Sequence, residues 1–204
     1  GARFTKWRGI YSIGRGLPSR YCIEVNAHAL ARFAALSQEA GLVPIVEPEV
    51  LMDGDHSISE CFDATEATLR EVYYQLGHQR VNLEGTLLKP NMVLSGKDAS
   101  IRAEPEEVAE KTVACLKRTV PASVPGMVFL SGGQSDDEAT VNLNAINQHA
   151  ALVGVPWQLS FSYGRGLQAA PLKIWRGDAN NAEQTQKAFR QRAYVTAVAR
   201  QGKY

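Results

Sequence analysis

The feature that most constrains this chain is a regular alternation of short apolar runs with longer segments that have helical spacing. The apolar runs predict β-strands at about 3–13, 43–50, 81–89, 126–132 and 157–163. Helices are predicted over 19–40 and 59–77, from Pro105 and from Ser135 onwards, and over about 181–200. Runs such as 42–46 are continuously apolar, which is typical of parallel strands buried on both faces.

Local signals mark the ends of the predicted helices. Gly41 ends the first helix as a C-cap. Pro105 stands at a first-turn position, and Ser135 and Glu138 have the spacing of a capping box. The residues predicted to form the buried helix faces are Ile23, Ala27, Leu30, Ala34, Phe62, Thr65, Leu69, Val72, Tyr73, Leu76, Val108, Thr112, Cys115, Val141 and Leu143.

Five consecutive βα units are compatible with an open doubly wound sheet or with most of a (β/α)8 TIM barrel. The barrel is favoured because no G-x-G-x-x-G follows the first strand, and because polar residues stand at the C-terminal end of every predicted strand, the face where barrels carry their sites. We therefore predict an α/β fold in which residues 1–204 form a single partial TIM-barrel domain. A closed barrel takes ~250 residues, so three earlier βα units are expected upstream of Gly1.

Composition excludes several functional classes. The 204 residues include 22 basic and 21 acidic ones, and no basic stripe predicts a nucleic-acid partner. No apolar run approaches the ~20 residues that span a bilayer, so no membrane partner is expected. Cys22, Cys61 and Cys115 are odd in number and widely spaced, which indicates free thiols in a reducing, cytoplasmic compartment. The four histidines are scattered, and we predict neither a metal nor another cofactor.

Lys89 closes an apolar strand immediately before Pro90. By spacing alone, such a lysine more often leaves its strand for solvent. In a barrel, alternate strands contribute side chains to one interior layer, so Lys6 on the first strand and Lys89 on the third are predicted to share a layer. A second ammonium group and partial burial would disfavour the charged form of Lys89 and leave an amine nucleophile.

Glu47 and Glu49 stand two residues apart and share one face if the strand persists that far. One interpretation is a pair of solvated loop acids. The other is an acid/base relay beside the amine, in which one carboxylate moves protons and the other positions its neighbouring lysine. Arg8 is predicted to be a further cation at the same rim.

Two turns rich in small residues follow the fourth and fifth predicted strands. Their residues are Ser131, Gly132 and Gly133 in the first turn, and Ser162, Gly164 and Arg165 in the second. Glycine N–H groups before a helix N-terminus favour an anion, and barrels frequently hold phosphate after their last two strands. Each turn alone is equally compatible with an ordinary connection. Together with the lysine, they predict an enzyme that handles a phosphorylated carbonyl compound through an imine.

Several stretches of the chain resemble class I fructose-bisphosphate aldolase, in that family's order and over essentially the whole chain. They are FTKWR (4–8), VPIVEPEV (43–50), LEGTLLKPNMV (83–93), GMVFLSGGQS (126–135), NLNAIN (142–147), SFSYGRGLQ (160–168) and QGKY (201–204). The resemblance implies a metal-independent, cytoplasmic and homotetrameric lyase of glycolysis and gluconeogenesis. Its substrate would be fructose 1,6-bisphosphate, cleaved to dihydroxyacetone phosphate and glyceraldehyde 3-phosphate.

The resemblance also implies a role for each matching residue. Lys89 would form the iminium at the ketose C2, and Glu47 would be the general acid/base. Lys6 would stabilise charge, Glu49 would be a supporting carboxylate, and Arg8 would contribute at the phosphate distal to the imine. The residues expected around the C1 phosphate are Ser131, Gly132, Gly133, Gly164 and Arg165, with Ser162 nearby.

The competing interpretation is a non-catalytic phosphosugar-binding fragment or scaffold of the same fold. It stays open because the family carries an acidic residue and a lysine of its active site in the three earlier βα units, and a tyrosine in a C-terminal tail. Other Schiff-base barrels, such as transaldolase or deoxyribose-phosphate aldolase, share the lysine but not the EPE or LSGGQS motifs. These 204 residues are not expected to close a barrel by themselves.

Overall fold

The computed structural model describes residues 1–204 as a five-stranded sheet with six α-helices. The strands are β1 (Phe4–Tyr11), β2 (Val43–Val50), β3 (Leu87–Leu88), β4 (Gly126–Phe129) and β5 (Gln158–Phe161). The helices are α1 (Arg20–Glu39), α2 (Ile58–His78), α3 (Pro105–Thr119), α4 (Asp136–Val153), α5 (Arg165–Trp175) and α6 (Ala182–Ala199). Short 3-10 turns lie at Leu83–Gly85 and Ala179–Asn181. None of the helices is long and apolar enough to cross a membrane.

The strand order decides between the two architectures that the sequence left open. All four pairings are parallel, and the strands follow one another in chain order from β1 to β5. A doubly wound sheet reverses its strand order at a switch point, whereas right-handed crossovers in chain order put every helix on one face. Neighbouring helices from α1 to α4 do pack side by side. The predicted α/β partial barrel is therefore confirmed.

The two faces of the sheet have different partners. On β1, Thr5 donates to the Ser37 hydroxyl of α1 at 2.7 Å, and the Trp7 ring lies 5.9 Å from the Phe33 ring of the same helix. Because side chains alternate along a strand, Lys6 and its even-numbered neighbours point to the opposite, inner face. The helices thus cover one face, and the inner face carries the charged side chains of β1 and β2 together with apolar ones such as Phe4 and Ile10.

The hydrophobic core lies between the sheet and the helices, and it confirms most of the predicted helix faces. Ile23 and Tyr73 are partly buried and pack against the core, while the other predicted positions except Val141 are buried. The prediction that Val141 is buried is wrong, because its side chain is exposed on α4. Leu143, two residues further on, is fully buried and belongs to the main core cluster.

Helix capping departs from the prediction at one place. At Ser135 only half of the expected capping box forms: its hydroxyl accepts from the Glu138 N–H at 3.1 Å, but Glu138 pairs with Arg102 instead of reaching back. A complete capping box starts α2, where Ser57 and Glu60 bond reciprocally.

The third predicted strand is much shorter than 81–89. Asn82 delays its start, because its side chain accepts from the Glu84 N–H at 3.1 Å and starts the 3-10 turn Leu83–Gly85 before the strand. The Gln38 side chain of α1 holds the Asn82 backbone N–H at 3.0 Å. Local bonds of this kind compete with a strand ladder. Only Leu87–Leu88 remain as β3.

Helix α5 was not predicted from the sequence, in which 162–166 was interpreted as a turn and the last helix was expected over about 181–200. Gly166 and Pro171 are both local signals against a helix. The helix forms nevertheless, with Pro171 buried inside it, since α5 packs against α6 and α4. Tertiary contacts outweigh the local preference here.

Candidate active site

Five charged side chains gather on the inner face of the sheet. Lys6 and Arg8 come from β1, Glu47 and Glu49 from β2, and Lys89 directly follows β3. The sequence analysis expected all of them at strand ends, but Lys6 and Arg8 lie in the middle of β1 because that strand continues to Tyr11. With three cations and two carboxylates, the cluster has an excess of positive charge that suits an anionic ligand.

Glu47 lies between the two lysines and contacts both. Its Oε2 accepts from Lys6 Nζ at 2.5 Å, and its Oε1 is 3.3 Å from Lys89 Nζ. The Glu47 side chain is 4% exposed and that of Lys89 10%, whereas Lys6 is 41% exposed. The Lys89 backbone N–H is held by Val46 O at 2.8 Å. Lys89 therefore does not leave its strand for solvent.

Glu49 pairs with an arginine, where the sequence predicted a lysine. Arg8 Nε donates to Glu49 Oε2 at 2.5 Å, and the Glu49 side chain is 6% exposed. The register of β1 on β2 decides this, because Arg8 lies opposite Glu47 and reaches one position further along the face, as Lys6 does. The two carboxylates share a face, as expected, but only Glu47 contacts a lysine.

The turn after β4 is held open by two glycines. Gly132 and Gly133 have φ values of 56° and 89°, which residues with a Cβ rarely adopt. The N–H groups of Ser131, Gly132 and Gly133 donate to no backbone carbonyl, and α4 begins three residues later, at Asp136. A Cβ on Gly132 would lie 3.9 Å from Glu49 Oε1, so this turn borders the charged cluster. Free N–H groups at a helix N-terminus favour an anion.

The turn after β5 lies beside the turn after β4. The Ser162 N–H donates to Phe129 O at 2.9 Å, which continues the pairing of β4 with β5 into the turns. Gly164 precedes α5 without a side-chain cap, so the first N–H groups of this helix have no intrahelical acceptor. Arg165 is exposed at the first helical position. Both predicted anion-binding turns therefore lie at the same end of the sheet.

Arg165 also acts on the loop that follows β2. In that loop, Asp53 Oδ1 accepts from Lys97 of the β3–α3 segment at 2.5 Å. The hydrogen bond and charge of Lys97 lower the pKa of Asp53, and the charge of Arg165 adds to this effect. Arg165 is thus within electrostatic reach of the β2 loop.

Asn91 is an organising residue that the sequence analysis did not single out. Its Oδ1 accepts from the Val50 N–H at 3.0 Å, and its Nδ2 donates to Thr65 Oγ1 at 3.1 Å and to Met92 O at 3.0 Å. It is buried two residues after Lys89 and joins that segment to the end of β2. A polar residue inside an apolar run was the available signal, because buried amides need partners.

The histidines do not form a ligand cluster. His56 is 5% exposed, and burial lowers its pKa. Neither of its ring nitrogens has a hydrogen-bond partner. No group of three or more His, Cys, Asp or Glu side chains is arranged to hold a metal ion.

Parallel strands in chain order, with all helices on one face of the sheet, are characteristic of (β/α)8 barrels. This chain is part of such a barrel. The family described as fructose-bisphosphate aldolase class-I matches residues 1–204. The chain belongs to that family.

Individual relatives agree with the family match. The chain is 56% identical to the probable fructose-bisphosphate aldolase class 1 of Xanthomonas campestris pv. campestris, covering 100% of this chain and 60% of the relative. It is 55% identical to the cytosolic fructose-bisphosphate aldolase 4 of Arabidopsis thaliana, covering 100% and 51%. The chain therefore spans between 51% and 60% of the length of these relatives.

A solved structure gives the same result for the fold. The chain superposes on fructose-bisphosphate aldolase from Plasmodium falciparum, solved in complex with TRAP and a small-molecule inhibitor, with a TM-score of 0.96 and 48% identity. The match covers 100% of this chain and 58% of that one.

Proposed function

We propose that the protein is a lyase that cleaves fructose 1,6-bisphosphate reversibly to dihydroxyacetone phosphate and glyceraldehyde 3-phosphate, in glycolysis and gluconeogenesis. The observation that carries the proposal is the pair of Lys89 and Glu47, buried together with 3.3 Å between Nζ and Oε1. A buried amine beside a carboxylate has both a nucleophile and a proton carrier within reach. Family membership and the names of the relatives give the substrate class.

In the first half of the proposed reaction, Lys89 forms a covalent intermediate. Glu47 first takes a proton from Lys89 Nζ, and the neutral amine then attacks the C2 carbonyl carbon of the ketose. A second proton passes from the nitrogen to the C2 oxygen to give a carbinolamine. Glu47 donates the proton with which the C2 hydroxyl leaves as water, and an iminium remains. Lys6, hydrogen-bonded to the other oxygen of Glu47, stabilises the charge that moves through this carboxylate.

In the second half, the carbon chain breaks. Glu47 takes the proton of the C4 hydroxyl, the C3–C4 bond breaks, and its electron pair moves to the iminium nitrogen to give an enamine. The C4 fragment leaves as glyceraldehyde 3-phosphate. Protonation at C3 and hydrolysis then release dihydroxyacetone phosphate and return the free amine of Lys89. No step uses a metal or another cofactor.

The phosphates are assigned to the two ends of the cluster. The C1 phosphate lies against the free N–H groups of the two turns, where helix N-termini and the Arg165 cation favour an anion. Its proposed contacts are Ser131, Gly132, Gly133, Gly164 and Arg165, with Ser162 nearby. Arg8, oriented by its ion pair with Glu49, contributes at the distal phosphate.

We also propose the setting in which this site works. Residues 1–204 act as a single partial barrel domain, which is supported by the position of β1 at the edge of the sheet and by the exposure of Phe4 and Ile10 on its inner face. A homotetramer is proposed from the family resemblance, and sedimentation velocity of the natural protein tests it. A cytosolic location is supported by the cytosolic aldolase among its relatives, that of Arabidopsis thaliana. The partner is the phosphorylated sugar itself.

Borohydride trapping tests the central claim. The natural protein is incubated with dihydroxyacetone phosphate, reduced, digested and analysed by mass spectrometry. We expect one reduced adduct, on Lys89. Lys89→Arg keeps the charge and removes the adduct, whereas Lys97→Arg, at an exposed lysine, leaves it unchanged. If the unsubstituted protein gives no adduct on Lys89, the proposed mechanism is wrong and the non-catalytic phosphosugar-binding interpretation replaces it.

Removal of metals separates this mechanism from that of a metal-dependent aldolase. Because the iminium of Lys89 is the proposed electron sink, we expect cleavage activity to stay within experimental error after dialysis against EDTA. Loss of activity in EDTA that returns on addition of a divalent cation would contradict the mechanism.

A further inference from the structure

Arg192 of α6 joins the two helices that begin at the anion-binding turns. Its Nε donates to Gly166 O of α5 at 3.1 Å, and its Nη2 donates to Asp136 O of α4 at 2.8 Å and to Thr140 Oγ1 at 3.0 Å. The Arg192 side chain is only 11% exposed. A rigid planar guanidinium with three such bonds fixes the distance between its partners more tightly than a flexible ammonium would.

Tyr163 makes a second link between the same two regions. Its hydroxyl donates to Ala139 O of α4 at 3.0 Å, and its side chain is buried directly before Gly164. Burial raises the pKa of Tyr163, and the nearby Arg192 cation partly opposes that rise. The start of α5 is therefore tied to the first turns of α4 from two sides.

Arg192 also changes the charge of the first turn of α4. That turn carries Asp136, Asp137 and Glu138, and three carboxylates beside a helix N-terminus would repel a phosphate. Arg192 lies 3.8 Å from the carboxylates of both aspartates. With Glu138 paired to Arg102, each acid of this turn has a cationic neighbour.

We propose that Arg192 is a positioning residue for the phosphate of the substrate. It keeps the turn at Ser131–Gly133 and the turn at Gly164–Arg165 at a constant distance from each other. Its charge also neutralises the two aspartates in the first turn of α4. Arg192 points at backbone carbonyls and carboxylates, so it acts through the turns and not by touching the phosphate. The inference rests on the proposed function, since it concerns the same phosphate site.

The test compares a ligand with and without its phosphate. In the natural protein, borohydride trapping on Lys89 is titrated with dihydroxyacetone phosphate and, separately, with dihydroxyacetone. For Arg192→Gln we expect the half-saturating concentration of the phosphate ester to rise about tenfold, the effect of losing charge-assisted hydrogen bonds. The concentration for dihydroxyacetone is expected to stay unchanged. A merely structural role would weaken both ligands equally.

Arg190→Gln is the matched control. Arg190 lies on the same helix, is exposed, and makes no ion pair or hydrogen bond, so the substitution changes the net charge equally. We expect it to leave both titrations within twofold of the unsubstituted protein. The proposal is overturned if the half-saturating concentration of dihydroxyacetone phosphate rises twofold or less in Arg192→Gln, or if it rises equally for both ligands.

Two further arms keep the test decisive. If Arg192→Gln does not fold, Arg192→Lys replaces it, because lysine keeps the charge and lacks the planar guanidinium. A rise above twofold in the half-saturating concentration of dihydroxyacetone phosphate, without a rise for dihydroxyacetone, supports the proposal. A smaller rise overturns it. If the unsubstituted protein traps nothing, the proposed function fails. Arg192 is then tested by calorimetric titration with inorganic phosphate, where weaker binding in Arg192→Gln than in Arg190→Gln supports it and equal binding overturns it.

Discussion

Lys89 and Glu47 face each other on adjacent strands, with 3.3 Å between Nζ and Oε1, and the second oxygen of Glu47 holds Lys6 at 2.5 Å. One buried carboxylate therefore contacts two lysine side chains of unequal exposure. Lys6 is open to solvent and Lys89 is not. This arrangement supports the proposed role of Glu47, in which it passes a proton to and from an intermediate on Lys89.

Glu47→Gln keeps the shape of this contact and removes its charge. We expect kcat for cleavage to fall by about 10²- to 10⁴-fold, the contribution of a positioned general acid/base. Steady-state kinetics of the natural protein measure it. Glu84→Gln, at an exposed glutamate of the 3-10 turn before β3, is the control and should stay within twofold. A Glu47→Gln variant with more than a third of the original kcat would show that another group carries the proton.

Alanine substitutions at the two glycines separate strain from steric clash. Both Gly132 and Gly133 have positive φ, so each alanine is expected to cost about 1–2 kcal/mol of unfolding free energy. Only at Gly132 does the new Cβ meet an atom, Leu130 Cδ1 at 2.6 Å, and Leu130 is buried. We expect Gly132→Ala to be less stable than Gly133→Ala by about 1 kcal/mol. Urea denaturation measures both, and equal stabilities would refute the predicted clash.

His56 predicts a pH dependence of stability. Burial lowers its pKa in the folded protein, while the unfolded chain binds the proton near the ordinary value of 6.5. Below that value the unfolded state holds more protons on His56, so stability falls as the pH drops through the window beneath 6.5 and is fully present above it.

The measurement is the free energy of unfolding at several pH values between 7 and 5. His56→Gln is expected to flatten this profile, whatever its effect on stability at pH 7. His28→Gln, at an exposed histidine of α1, is expected to keep the original slope. Parallel profiles for the original protein and His56→Gln would contradict the assignment.

The three cysteines are predicted to react in a definite order. Burial raises the pKa of Cys115 to about 12 and also raises the pKa of Cys61, so neither forms much thiolate at neutral pH. Cys22 is only partly buried. With iodoacetamide at pH 7.5, we expect Cys22 to be alkylated at least about tenfold faster than the other two. Peptide mass spectrometry over time measures this, and similar rates at all three would be the contrary result.

Local pattern predicted most of the secondary structure, and its failures are instructive. Strand β2 follows from its apolar run and helices α1 to α4 follow from helical spacing, and both patterns depend on neighbours a few residues away. Helix α5 was missed because Gly166 and Pro171 argue against it locally, and packing on α6 decides otherwise. The third strand was predicted too long, because the bond from Gln38 to Asn82 joins residues 44 positions apart.

The sequence by itself determined the fold class, the family and the set of charged residues at the site, because these depend on periodicity, motif and residue type. The tertiary structure decided which of them meet. Glu47 meets Lys6 and Glu49 meets Arg8 because of the β1–β2 register, which joins side chains 41 positions apart. Glu47 meets Lys89 because Lys89 directly follows β3, which pairs with the other edge of β2. Arg192 lies in no motif, and only the packing of α6 brings it to two helix starts 26 and 56 residues away. Contacts over such distances depend on how the elements pack, and no local pattern encodes them.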